Sequence, residues 1–191
     1  FGATRAEVDL VSEPVDLSML ADLRRVVGEA TAAFDAFDYS RALETTERFF
    51  WTFCDDYLEL VKERAYDRTD VGQASAALAL RTALSTLLRL LAPVLSFATE
   101  EAWSWFNDGS VHTAEWPAPL GIEADAEVLT SASAALIGIR RAKTEAKASQ
   151  KTAVERAVIA APAATIAALR LAEGDLQAVG KIAALEFVEG E

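Results

Sequence analysis

Two groups of side chains have the chemistry to hold a nucleic acid. Arg81, Ser85 and Arg89 recur at i, i+4 and i+8, with Thr82 and Thr86 beside them, and no acid lies between Ala74 and Leu91. Guanidinium and hydroxyl groups are the usual side-chain contacts to phosphate and ribose. An ordinary solvated helix face is the other reading, and both stay open on these residues alone. The second group lies between Thr130 and Ala160. There Arg140, Arg141, Lys143, Lys147, Lys151 and Arg156 face only Glu145 and Glu155. That window is +4, which against a total of −12 leaves −16 elsewhere. The total alone argues against a nucleic-acid partner, because phosphate contacts need Lys and Arg; the local excess argues for one.

Other chemistries lack their residues. The single histidine, His112, falls in an expected loop, and with the single cysteine, Cys54, it cannot make up a His/Cys metal site. No Glu-x-x-His pair of the di-iron type is present. Neither is a P-loop, a G-x-G-x-x-G, a G-x-S-x-G or a plausible triad. Asp55, Asp56 and Glu59 read as a solvated helix face rather than an acid/base pair. The expectation is a stretch with no catalytic residue, no metal and no cofactor of its own.

These side chains must be positioned by helices. Asp16 can cap a first helix to about Phe37, with Leu20, Leu23, Val27, Ala30 and Phe34 at helical spacing. Asp38 can cap a second to about Tyr66. At 100° per residue its Phe49, Phe50, Phe53, Cys54, Tyr57, Leu60 and Val61 share one arc, and Glu44, Arg48, Asp55, Glu59 and Lys62 fill the opposite one. Arg64 falls inside the apolar arc, and the simplest reading is that it snorkels out at the helix end. Asp70 with Gln73 resembles a capping box opening a third helix, which Pro93 ends or kinks. Thr99 followed by Glu100 and Glu101 looks like another start. Residues 107–121 read as turn and loop, and a long helix spans about Glu123 to Lys147.

The texture then changes. Val154 to Ala161 reads as a strand, Pro162 to about Ala172 as a helix closed by Gly174, and Ile182 to Val188 as a second strand. The fold class is therefore mainly α: a helical bundle over 1–121, then a long helix plus a small strand-helix-strand subdomain over 122–191. The 191 residues suffice for a core without disulfides, and one cysteine excludes an internal one. No apolar run approaches about 20 residues, so no membrane span is expected. The start at Phe1, without Met, reads as a segment of a longer or processed protein.

Four stretches, in order, resemble the C-terminal part of the valyl-tRNA synthetases. FFWTFCDDYLELVKERAY (Phe49 to Tyr66) is similar to a helix reading W-x-x-F-C-D-W-Y-L-E-L-x-K, through Trp51, Cys54, Asp55, Tyr57, Leu58, Glu59, Leu60 and Lys62, with Phe53 one place out of register. LLRLLAPVLSFATEEAW (Leu87 to Trp103) is similar to L-x-x-L-L-H-P-x-x-P-F-x-T-E-E-x-W. SVHTAEWP (Ser110 to Pro117) resembles the segment closing that helix pair, and Ile139 to Ile159 resembles the segment leading into the C-terminal strand. Asp56 replaces the usual Trp, and Ala92 and Ser96 replace the usual His and Pro.

The resemblance implies a class Ia synthetase anticodon-binding bundle followed by a small α/β element. It implies a fragment of a ligase that joins valine to its tRNA with ATP, in a catalytic domain carrying HIGH- and KMSKS-type motifs, neither of which occurs here. Implied partners are valine tRNA and the catalytic domain of the same chain, in the cytoplasm. Arg81, Ser85 and Arg89 are then the first candidates for tRNA contact, and Arg140, Arg141, Lys143 and Lys147 the second. Two alternatives stand beside this: a structural or protein-interaction bundle, which the net charge favours, and the anticodon domain of an isoleucyl or leucyl synthetase, which shares the bundle.

Overall fold

The computed structural model describes residues 8–67 and 71–190. Helix α1, Pro14–Asp35, starts with proline in its first turn, where the missing N–H costs nothing. Val15, Met19, Leu23, Val26, Val27 and Ala30 make its buried stripe. Asp16 is not its cap, as the sequence suggested. The helix begins two residues earlier, and the Asp16 carboxylate is wholly buried. It accepts hydrogen bonds from the Tyr57 hydroxyl (2.8 Å), the Ser75 hydroxyl (2.7 Å) and two Arg64 nitrogens (2.9 and 3.0 Å). Arg64 therefore does not snorkel to solvent. It is 8% exposed and also donates to Asp175 and to the Gly72 carbonyl. A buried guanidinium persists only with its donors satisfied, and residues from separate parts of the chain converge to satisfy this one.

At its C-terminus α1 closes with the Phe37 N–H on the Phe34 carbonyl and the Asp38 N–H on Ala33. That pattern needs a left-handed residue, and Phe37 supplies it at φ 59°. Asp38 then caps α2 (Tyr39–Thr52) by accepting from the Arg41 N–H, as expected. A π-helical turn over Phe53–Tyr57 joins α2 to α3 (Leu58–Tyr66) in one continuous rod. Helix α4 (Gln73–Leu91) follows Gly72; the expected capping residue Asp70 lies outside the described residues.

α4 packs against α1, α2, α3 and the next helix. By length and composition it could cross a membrane, but most of it is buried inside the bundle, as a core helix is. It stops before Pro93. Helix α5 (Ser96–Ser104) starts three residues ahead of the expected Thr99, whose hydroxyl instead bonds back to the Leu95 carbonyl. Glu100 lies beyond the first turn and accepts from Ser110 and the Val111 N–H, fixing the 3₁₀ turn Val111–Thr113.

Helix α6 (Glu127–Glu145) leads to β1 (Val154–Ala161), α7 (Ala163–Leu171), α8 (Glu173–Gly180) and β2 (Ile182–Glu189). The strands pair in parallel, Val154 opposite Ile182 and Ile159 opposite Phe187. Gly174 does not end a helix: it sits in the first turn of α8, which the sequence reading missed and whose Leu176 is fully buried. One apolar cluster runs from Val15, Leu23, Phe49 and Leu60 through Leu136 to Leu176 and Leu185, so the core is continuous across position 121.

Candidate nucleic-acid interface

The α4 group is less open than its spacing implied. Ser85 is 3% exposed, and Thr82 and Thr86 are buried with it. Packing of α4 on several sides leaves no hydroxyl face, because buried hydroxyls can return to the helix's own carbonyls, as Thr82 does to Leu78. That removes Ser85 from direct contact with a docked ligand in this conformation. Arg81 and Arg89 are half-buried. Arg89 donates through Nε to the Ser85 carbonyl (3.0 Å) and through a terminal nitrogen to the Glu115 carbonyl (3.2 Å), so it ties the loop after the 3₁₀ turn to α4. Burial lowers its affinity for the proton from the usual arginine value, with Glu115 acting the other way.

The α6 group divides in two. Lys143 is 5% exposed, and its ammonium donates to the carbonyls of Gln150 (2.8 Å), Thr152 (2.9 Å) and Gly180 (2.7 Å). Burial, and then the neighbouring Lys181, draw its pKa below the ordinary lysine value. Three N–H groups on three carbonyls is the full donor capacity of an ammonium, so Lys143 pins the chain around β1 and is not offered outward. Arg140, half-buried, donates to the Asp55 carbonyl at 3.2 Å, and exposed Arg141 pairs with Glu145 at 2.7 Å. Lys147 is exposed at the left-handed end of α6, at φ 53°.

Arg140 and Lys143, but not Arg141 or Lys147, line a cleft of about 450 Å³ between α3, α6 and the turn into β2. Lys62, Arg140, Lys143, Lys151 and Lys181 line it, against Glu59 and Glu63. Lys181 pairs with Glu63 (2.7 Å) and Lys62 with Glu59 (3.4 Å). Exposed pairs of this kind are worth at most about 1 kcal/mol, so phosphate can compete for these cations. In a chain of −12 the cleft concentrates positive charge from separate elements. Lys62 and Lys181 were not among the residues singled out for it, because only folding brings them to α6; Lys151 belonged to the basic window read from the sequence.

The sequence reading also missed an aromatic corner. Phe34, Phe37 and Tyr39 at the α1–α2 turn meet Trp116, with centroid distances of 5.8 Å (Phe34–Tyr39), 6.5 Å (Phe37–Tyr39) and 5.2 Å (Phe34–Trp116). The Trp116 indole N–H donates to the Thr31 hydroxyl (2.9 Å), and Phe37 is 77% exposed. Exposed rings of this kind can stack on unpaired bases. His112 contacts the Ser96 carbonyl, and the Cys54 thiol is pushed up by burial and by Asp55. No group of three or more His, Cys, Asp or Glu placed to hold a metal occurs among the described residues.

The family profile described as the anticodon-binding domain of tRNA ligase matches residues 16–159, from α1 into β1. The valine–tRNA ligase of Leifsonia xyli subsp. xyli is 58% identical over 192 residues, covering 97% of this chain and 22% of that protein. The valine–tRNA ligases of Cutibacterium acnes and Thermobifida fusca are 51% and 52% identical, each covered by this chain over 21% of its length. The chain spans about a fifth of the length of the curated relatives it matches.

Proposed function

Because the chain belongs to the family of anticodon-binding domains of tRNA ligases, we propose that it is the anticodon-docking part of a valine–tRNA ligase. The observation that carries the reading is the 58% identity along nearly the whole chain to a valine–tRNA ligase, inside a family match that spans the bundle. Valylation with ATP belongs to the parts of such a ligase outside this stretch. The chain's task is to hold the anticodon arm so that the acceptor end reaches that chemistry.

The phosphates of the arm lie against the cleft, which Arg140 and Lys151 line, and against Arg141 and Lys147, exposed on α6 and just past its end. Arg81 and Arg89 supply a second, half-buried pair, and Arg89 orients the loop that carries Trp116. Splayed bases are read on exposed edges and by stacking, as single-stranded RNA usually is. The site acts in the cytoplasm, on the pool of valine tRNA.

The test is tRNA charging by the full-length ligase with Arg141, Lys147 and Lys151 changed together to Ala. The expected result is weaker tRNA binding with a shallower salt dependence, about one unit of slope for each phosphate no longer held, and unchanged valine activation. Unchanged tRNA binding would exclude the cleft rim. The excess of acids favours one second reading, a spacer that only orients other domains; it predicts that no cation on this chain affects tRNA affinity.

A further inference from the structure

Part of the lining of the α3–α6 cleft is aliphatic. Leu136 and Ile139 of α6 and Val179 of α8 belong to it, Leu136 at 1% exposure and the other two half-buried. A row of backbone phosphates makes no use of aliphatic side chains, since its contacts are made by cations and polar groups. The volume of about 450 Å³ falls within the roughly 300–1,000 Å³ of pockets that enclose a small ligand. A ligand matched to this lining is apolar over one part and anionic over another.

The polar groups of the cleft sort by how far they are already engaged. Lys143 is spent on three carbonyls, Lys62 pairs with Glu59, and Lys181 pairs with Glu63. Arg140 gives one nitrogen to the Asp55 carbonyl, and neither Arg140 nor Lys151 has an ion-pair partner among the described residues. Two positive charges are thus open to one phosphate. The neutral polar side chain is Gln150. Its amide nitrogen donates to the Arg140 carbonyl (3.2 Å) and the Thr144 hydroxyl (3.3 Å), which leaves its amide oxygen to accept. Glu59 and Glu63 are acceptors as well. A base lying on the aliphatic side chains is therefore met by acceptors and must donate. An exocyclic amine does so in adenine, cytosine and guanine, and uracil has none.

We propose that the cleft takes in one unpaired nucleotide of the tRNA, its base against Leu136, Ile139 and Val179 and its phosphate on Arg140 and Lys151, and that this base carries an exocyclic amine. The inference rests on the reading of the chain as the anticodon-docking part of a valine–tRNA ligase and deepens it: the cleft reads a base as well as holding charge. A nucleotide of a loop is already unpaired, so drawing it out of the stack costs less than flipping one from a duplex. Gln150 is then the residue that sets the preference among bases.

The test is the affinity of the full-length ligase for valine tRNAs in which each unpaired nucleotide of the anticodon loop is made abasic in turn. The unchanged ligase loses about five- to tenfold at one position, the effect of removing one held base. Ile139→Gln loses a similar factor on intact tRNA with an unchanged salt slope, and making that position abasic costs this variant nothing further. Lys151→Ala, by contrast, lowers the salt slope by about one. Gln150 is exposed, so Gln150→Ala keeps the fold, and it narrows the preference for an amine-bearing base over uracil at the same position. Losses from Ile139→Gln and from the abasic tRNAs that simply multiply at every position overturn the proposal, as does a Gln150→Ala ligase with undiminished base preference. Binding of CMP alone that Lys151→Ala abolishes, with all the abasic tRNAs held alike, would make a free nucleotide the ligand and overturn it equally. If only the cation replacements alter tRNA binding, this inference fails and the parent reading stands; if neither they nor any abasic position matters, the parent reading fails too.

Discussion

Lys143 and Lys147 stand four residues apart at the end of one helix and do opposite things. Lys143 is a buried ammonium that donates to three carbonyls, so Lys143→Met, which removes all three bonds, costs about 2–4 kcal/mol, seen as a lower melting temperature with no selective change in salt dependence of binding. Lys147→Ala leaves stability within about 0.5 kcal/mol, since an exposed lysine buries little, and instead weakens tRNA binding. Equal stability losses would contradict this division. Phe37 carries a different tension, a large ring in a left-handed backbone well. Replacing it with Gly relieves about 1 kcal/mol of strain while adding a similar entropic cost, so the melting temperature hardly moves; Phe37→Val, with a branched Cβ in that well, is destabilised by about 1 kcal/mol or more. If the corner stacks bases, the Gly variant binds tRNA less well at unchanged stability, and equal affinity would remove the corner from the interface.

At the scale of elements, the Asp16–Arg64–Asp175 network joins α1, α3 and α8, with Tyr57 and Ser75 bonded to Asp16. Asp16→Asn leaves a buried guanidinium short of a charge and costs about 3–5 kcal/mol by chemical denaturation; Asp175→Asn, nearer the surface, costs less. Burial first, and then the Asp16 carboxylate, raise the Tyr57 phenol well above its ordinary value of 10.0. Above about pH 10 the unfolded chain loses this proton while the native state keeps it, so Tyr57 stabilises the fold below that pH and its contribution fades as pH rises. The stability advantage of wild type over Tyr57→Phe therefore shrinks between about pH 9 and pH 11, and an advantage constant across that range would exclude the buried phenol as its source. This network is also where the sequence was least legible. An Asp at the start of a helical pattern fits a cap, and only folding shows Tyr57, Arg64 and Ser75 arriving from 41 to 59 residues away. Local signals did better: the Asp38 cap, the stop before Pro93 and the bounds of β1 depend on neighbouring residues and stand where expected. Gly174 misled because a glycine in a first turn and a glycine past a last turn look alike until Leu176 is seen buried. For the site, the excess of Lys and Arg near α6 was visible in composition, but the burial of Ser85 and Lys143 depends on helices from other parts of the chain.

The whole molecule is strongly acidic yet belongs to a family of anticodon-binding domains, and the two are compatible only if charge is segregated. Segregation is what the surface shows: cations around the α3–α6 cleft, and none between Leu90 and Ile139, where the apolar side chains of the α4–α5 turn face outward. Added salt should weaken RNA binding at the first surface. The most direct test is a titration of the full-length ligase containing this chain against valine tRNA and the same tRNA with an altered anticodon, at two salt concentrations. The predicted result is tighter binding of the unaltered tRNA, weaker binding of both at higher salt, and a smaller salt slope once Arg141, Lys147 and Lys151 are replaced. Equal affinity for the two tRNAs, with a salt slope indifferent to those replacements, would contradict the assignment of this chain as the part that docks the anticodon.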